Sequence, residues 1–405
     1  GFGFSVRASG FIVAFIDTTV MNSPARCYFD HNATTAVAPE VVEAMLPFLR
    51  EYWGNPSSSY TFGRQLAGPL GEARARVAAL INADPREIIF TSGGTESNNA
   101  AIHSALATQP GKRHIVTTAV EHSATIKFVQ LLQKQGYAVT FLPVSPDGAL
   151  DLDQFEQALR PDTAIASVMW ANNETGLLFP VQEIAARCRR RGVLFHTDAV
   201  QVAGKLPIDA QALEADFLSL SAHKLHAPKG IGLLYLKRGV KYQPYIVGGG
   251  QERGRRGGTE NVANIVAFGR AAELARANLA QAETRVRALR DRLEAGLLRQ
   301  IPETVRNGAR EPRLPNTSNL AFAGVEAEGI LLLLDQAGIC ASSGSACTTG
   351  SLEPSHVLTA MGCSAARARG SIRFSLGIAN TAAEVDYALE RLPGIIARLR
   401  ALTPA

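Results

Sequence analysis

"FLSLSAHKLHAPKGIGLLYL", residues 217–236, is the stretch on which the fold turns. Its ends, FLSLS (217–221) and IGLLYL (231–236), are short apolar runs. Between them lie two histidines, two lysines, a proline and a glycine. Apolar runs of this length bounded by turn formers read as buried strands. The pattern repeats toward the N-terminus in EIIF (87–90), HIVTT (114–118), AIASVMW (164–170) and VLFHTD (193–198). Helical stretches separate these runs, one starting near Thr95 and one in EHSATIKFVQLLQKQG (121–136). Short strands alternating with helices predict an α/β fold with a mostly parallel sheet. Downstream, residues 270–300 read as one long amphipathic helix. SNLAFAG (318–324) reads as a strand, EAEGILLLLDQAG (326–338) as a helix and GSIRFSLG (370–377) as a strand. A closing helix follows, with Thr381 and Glu384 spaced for a capping box. This tail predicts a second, smaller α+β domain.

The totals exclude several classes. The chain has 405 residues, 46% hydrophobic and 19% charged, with a net charge of +5. That charge is mild for the length, and no nucleic-acid partner is expected. The basic run RCRRR (187–191) precedes Gly192 and reads as the cationic last turn of a helix with a glycine cap. Five cysteines (27, 188, 340, 347, 363) form no C-x-x-C pair, which argues against a disulfide framework and against a zinc site. A reducing cytoplasm fits best. No apolar run is long enough for a membrane span. Residues 1–20 read as an extension of unknown role and make a poor secretory signal.

Ligands of open α/β sheets bind beyond the carboxyl ends of the strands, so the residues there carry the argument. TSGGTESNNAA (91–101) follows the first strand. Gly93 and Gly94 are either a plain turn or the glycine approach to a helix N-terminus that binds an anion. Asp198 ends VLFHTD, either as a capping or salt-bridged residue or as the partner of a cationic ring nitrogen. Lys224 is either a turn residue or an amine kept dry enough to act as a nucleophile. Together they are sharper. A phosphate-holding turn, a carboxylate for a pyridine nitrogen and a Schiff-base lysine are the three handles of pyridoxal phosphate (PLP). His122, in AVEHSAT (119–125), would then stack on the ring, and Ser221 and His223 would add donors to the phosphate.

Longer motifs extend this set: FDHNATT (29–35), GNPSS (54–58), VMWANNETG (168–176), GGGQERGRRGGTEN (248–261) and ASSGSACTTGSLEPSHV (341–357). With the stretches above they resemble the cysteine desulfurases, fold-type-I PLP enzymes that supply sulfur for iron–sulfur clusters. The likeness runs from about residue 27 to 400. It implies a seven-stranded large PLP-binding domain over 41–280, after an N-terminal segment 21–40. A small domain over 281–405 would carry the catalytic cysteine loop, about 340–352.

The resemblance further implies that Lys224 is the Schiff-base lysine, that Asp198 pairs with the ring nitrogen and that Gln201 contacts the ring's phenolate oxygen. His122 would also serve in proton transfer. Gly94, Thr95, Ser221 and His223 would hold the phosphate, and Thr259 would reach the phosphate of a neighbouring subunit in a homodimer. Asn173 and Arg373 would grip the carboxylate of L-cysteine. Cys347 would take its sulfur as a persulfide, leaving L-alanine, and pass it to a U-type cluster-assembly scaffold. No metal is expected in the free enzyme, although Cys347 could ligate a cluster during transfer. MWANNETGLLFP (169–180) and the ending RLRALTPA (398–405) lean toward the nitrogen-fixation branch.

Three positions depart from the family pattern: Arg369 where a histidine is frequent, Cys340 for a small residue, and His31 where Asn or Tyr is more usual. The competing readings are a selenocysteine lyase, an aminotransferase or an epimerase of the same fold. A non-catalytic sulfur carrier is the rival from another class. The glycine- and serine-rich surroundings of Cys347 favour a desulfurase, because such a segment has few packing contacts to pin it.

Overall fold

The computed structural model describes residues 26–344 and 354–402. In chain order its strands are β1 (Cys27–Tyr28), β2 (Ile88–Thr91), β3 (His114–Thr118), β4 (Ala138–Leu142), β5 (Thr163–Ser167) and β6 (Leu194–Asp198), then β7 (Phe217–Ser221) and β8 (Gly232–Leu236). After them come β9 (Thr304–Arg306), β10 (Thr317–Phe322), β11 (Ile339–Cys340) and β12 (Ser371–Ser375).

Seven strands form the main sheet in the order β2-β8-β7-β6-β5-β3-β4. The pairs from β7 through to β4 are parallel, and β8 runs antiparallel to both β7 and β2. The exception has a simple cause. Parallel neighbours need a crossover of a dozen or more residues, and segment 222–231 is too short to be one. The α/β expectation therefore holds, with the opening stretch 217–236 forming a hairpin-like pair. β4 was not singled out in the sequence. It is an edge strand, and four of its five residues are only half-buried, so its apolar signal is weak.

The long helix expected over 270–300 is in fact two, Val262–Ala277 and Leu279–Gln300, broken at Asn278. Each half serves a different apolar core. Ile265 and Phe268 pack with the main sheet, whereas Val286, Leu293 and Leu297 pack with Phe374, Val385 and Ile396. One straight helix cannot bury faces in two directions, and Asn, a poor helix former, stands where the direction changes. The second core is roofed by the three-stranded sheet β12-β10-β9. The last helix, Ala382–Leu402, has the expected capping box: Glu384 Oε2 accepts from the Thr381 N–H at 2.6 Å, and Thr381 Oγ1 accepts from the Glu384 N–H at 3.2 Å. Helix Val181–Arg190 ends in its basic turn, with Gly192 at φ +63°.

Candidate active site

Five strand ends open on one crevice. Gly93 and Gly94 follow β2, His122 follows β3, Asn173 follows β5, Asp198 closes β6, and Ser221 closes β7 with His223 and Lys224 just after it. Together with Thr95, Gln201, His223 and Arg373 they line a cavity of about 520 Å³. Every described residue expected in the site is in it except Thr259, which is exposed and absent from its lining. Cys347 lies outside the described residues, but Gly344, at the head of that segment, lines the cavity.

The chemistry of the lining fits PLP. Helix Gly94–Ala107 begins at the cavity, with no side chain capping its first turn, so backbone N–H groups and the helix dipole face an incoming phosphate. Gly93, at φ +155° and ψ −177°, has a backbone that only glycine adopts readily. A Cβ on Gly94 would come within 2.9 Å of Val200 Cγ2. Asp198 is buried and held at both oxygens: Asn98 Nδ2 donates to Oδ2 at 2.7 Å and the Val200 N–H to Oδ1 at 3.0 Å. A carboxylate so oriented suits a protonated ring nitrogen.

Lys224 Nζ donates to the backbone oxygens of Asn32 and Ala33, both at 2.6 Å. His122 caps helix Ser123–Lys134, its Nδ1 accepting from the Ala124 N–H at 3.1 Å. That bond leaves the proton of the neutral ring on Nε2. Burial pushes the imidazole below its ordinary value despite the opposing Asp198 carboxylate, so the neutral form prevails at neutral pH. His223 is likewise neutral, pushed down to about 4 by burial and by Lys224 and Lys229.

Arg373 reaches the same cavity from β12. It is 2% exposed, with Nη2 donating to Asp30 Oδ1 at 2.7 Å and Nη1 to the Asn173 carbonyl at 3.1 Å. Its Nε is buried without a partner among the described residues. A buried guanidinium with an unmet donor is poised for a further anion.

Several site residues gave no signal of their own in the sequence. Asn32 lies within the quoted motif 29–35, yet nothing marked it as the hub it is. Its backbone oxygen accepts from Lys224 and Gln201, and its Nδ2 donates to the Asn173 carbonyl at 3.1 Å. Glu174 is buried, its carboxyl pushed up by burial against the hydrogen bond from Ser355 Oγ. A Cβ on Gly344 would come within 2.7 Å of Glu174 Oε2. The chain therefore meets Glu174 on both sides of segment 345–353. Of the departures, Arg369 pairs with Glu326 at 3.3 Å away from the cavity. Burial pushes the His31 imidazole down to about 4 and raises the Cys340 thiol.

Glu121 is fully buried between strand ends, accepting from Thr118 Oγ1 at 2.7 Å and from the Met169 N–H at 3.0 Å. Burial moves its carboxyl from 4.5 up to about 8. Between those values the folded chain keeps a proton that the unfolded chain has released, so stability falls as pH rises through this window. Glu121→Gln, which cannot ionise, is expected to flatten the decline in melting temperature between about pH 5 and pH 8. Parallel wild-type and variant curves in a thermal-shift series would refute this.

Comparison with known proteins agrees with the geometry. The family model for aminotransferase class-V matches residues 27–388. The chain is 56% identical to cysteine desulfurase 2 of Trichormus variabilis over 377 residues, covering 93% of this chain and 94% of that one. It is 51% identical to cysteine desulfurase NifS of Azotobacter vinelandii over 381 residues, 94% of this chain and 95% of that one. A solved structure described as a NifS-like protein superposes with a TM-score of 0.87 at 39% identity, covering 92% of this chain and all of that one. With Lys224, Asp198, the Gly94 helix end and Arg373 around one cavity, the chain belongs to the aminotransferase class-V family as a PLP-dependent cysteine desulfurase.

Proposed function

We propose a division of labour in which Gly94, Thr95, Ser221 and His223 hold the cofactor's phosphate, Asp198 its ring nitrogen and Gln201 its phenolate oxygen. Asn173 and Arg373 bind the carboxylate of L-cysteine. When bound, PLP supplies an electron sink for charge developing at the substrate Cα. Lys224 Nζ removes the Cα proton. His122 would stack on the ring of bound PLP, and its Nε2 would exchange the proton of the substrate thiol. The Cys347 thiolate attacks the substrate sulfur: an S–S bond forms, the C–S bond breaks, and its electron pair passes to carbon, which is protonated on the way to alanine. Cys347 is left as a persulfide.

The observation that carries this reading is the placement of Arg373 and Lys224 in the lining of one cavity, with the Arg373 Nε unmet among the described residues. A buried cation there selects a small anionic amino acid and fixes the Cα–H bond for cleavage. The test is alanine formation from L-cysteine with no 2-oxo acid added. Turnover that required a 2-oxo acid would identify an aminotransferase instead.

The same reading includes a homodimer in which Thr259 of each subunit reaches the phosphate of the other. Exposure of Thr259, Trp53 and Val247 supports it. A large PLP-binding domain over 41–280 and a small one over 281–405 are supported by the two apolar cores and the break at Asn278. The sulfur acceptor is a U-type scaffold in cytoplasmic cluster assembly for nitrogenase. The branch-specific sequence stretches support this, as does the free state of Cys188, Cys340 and Cys363. No helix among the described residues is long and apolar enough to cross a membrane.

A further inference from the structure

Lys205 is a costly side chain to bury near the site. It is 8% exposed, and no carboxylate lies within ion-pair distance of it among the described residues. Burial drives its amine well below the ordinary lysine range, and the charges of Lys224 and Arg373 push it the same way. A buried amine beside two cations is destabilising unless its hydrogen bonds do something apolar packing cannot. Lys205 does not line the proposed cofactor cavity. It stands behind it, with its other side facing a separate cavity of about 740 Å³.

Its two hydrogen bonds go to two side-chain amides. Lys205 Nζ donates to Gln201 Oε1 at 2.9 Å and to Asn32 Oδ1 at 3.1 Å. An amide can turn end for end with almost no change of shape, so packing alone does not choose its polarity. Lys205, donating through both bonds, adds to the choice favoured by the Asn32 carbonyl and by Asn316 Nδ2, which donates to Asn32 Oδ1 at 3.0 Å. It requires the oxygen of each amide to face it, which turns each NH₂ the other way. Gln201 Nε2 spends one hydrogen on the Asn32 carbonyl at 3.0 Å and keeps a second. Asn32 Nδ2 donates to the Asn173 carbonyl at 3.1 Å and to Thr317 Oγ1 at 2.9 Å.

We propose that Lys205 is a positioning residue: by donating to Gln201 and Asn32 it locks both amides so that Gln201 presents an N–H donor to the cofactor cavity. This rests on the assignment of Gln201 to the ring's phenolate oxygen. The titratable and charged groups facing that cavity are Glu96 on helix Gly94–Ala107, His122 at the head of the next helix, Asp198 on β6 and Arg373 on β12. After β7 come His223, Lys224 and Lys229, while His31 and His226 face Lys205 from the second cavity. None of these is an amide; of the other amides lining the cavity, Asn32 and Asn98 spend their donors on Asn173, Thr317 and Asp198, and Asn173 is assigned to the substrate carboxylate, so the effect of Gln201 is separable.

The readout is the pH midpoint at which the yellow absorbance of the holoenzyme titrates. A donor to the anionic oxygen favours the form that has lost its proton, so removing the donor raises the midpoint. Lys205→Met is expected to raise it by about half to one pH unit. Lys205→Gln, uncharged and one bond shorter, should raise it too, and it serves if the Met variant fails to fold or to hold the cofactor. Gln201→Ala should raise it by a similar amount, and the Lys205→Met, Gln201→Ala double variant no further than Gln201→Ala alone. If Gln201→Ala moves the midpoint and neither Lys205 variant does, the inference is wrong while the assignment of Gln201 stands. If the double variant shows the sum of the two shifts, Lys205 acts by its charge and not through Gln201, which also overturns it. If Gln201→Ala moves nothing, the assignment of Gln201 fails and the inference with it.

Discussion

Lys224→Ala is expected to lack the visible absorbance of protein-linked PLP and to lose at least about a thousandfold in alanine formation from L-cysteine. The local structure says why no neighbour substitutes. Lys224 Nζ is held by two main-chain oxygens at 2.6 Å, in a turn built by Asn32 and Ala33. Of the other amines, buried Lys205 is tied to Gln201 and Asn32 and does not line the cavity, and Lys229 lines it but is exposed to solvent. The variant should still fold, because Lys224 is only partly buried and lies in a short helical turn, Ala222–Lys224, outside the strand ladder. It should also still take up PLP without linkage, since the Gly94 helix end and Asp198 are untouched. Absorbance spectra before and after dialysis, with alanine measured in parallel, provide the check. Retention of the band would mean that another lysine makes the link.

Cys347→Ala is the second large effect. Sulfide and alanine formation should fall by about a thousandfold or more while the yellow absorbance stays. The described cysteines give the physical argument by elimination. Burial raises the thiols of Cys27, Cys188, Cys340 and Cys363 above their ordinary range, and the thiolate is the nucleophile. None of the four lines the cavity. Gly344, which does, leads directly toward Cys347. Mass spectrometry of wild-type protein treated with L-cysteine should find one extra sulfur on the peptide holding Cys347. Extra sulfur on Cys340 instead, with normal turnover of the alanine variant, would transfer the role to that thiol.

Much of this was legible in the residues because it is local. Strand and helix patterns, the capping box at Thr381 and Glu384, and the glycine turn before helix Gly94–Ala107 all arise within a few neighbouring positions. So does the placement of Asp198 and Lys224 beyond apolar runs, and the order of those runs along the chain led to the α/β sheet and to PLP. What the tertiary structure decided is long-range. It broke the helix at Asn278, because two cores pull in different directions. It brought Arg373 from β12 to the cavity that Lys224 lines, and paired it with Asp30 far away in the chain. It made Asn32 a hub and buried Lys205 behind Gln201, where the polarity of an amide matters. A hydrogen-bond partner that is distant in sequence has no periodicity to announce it. Only the folded chain can show which donor meets which acceptor, and at what cost in burial.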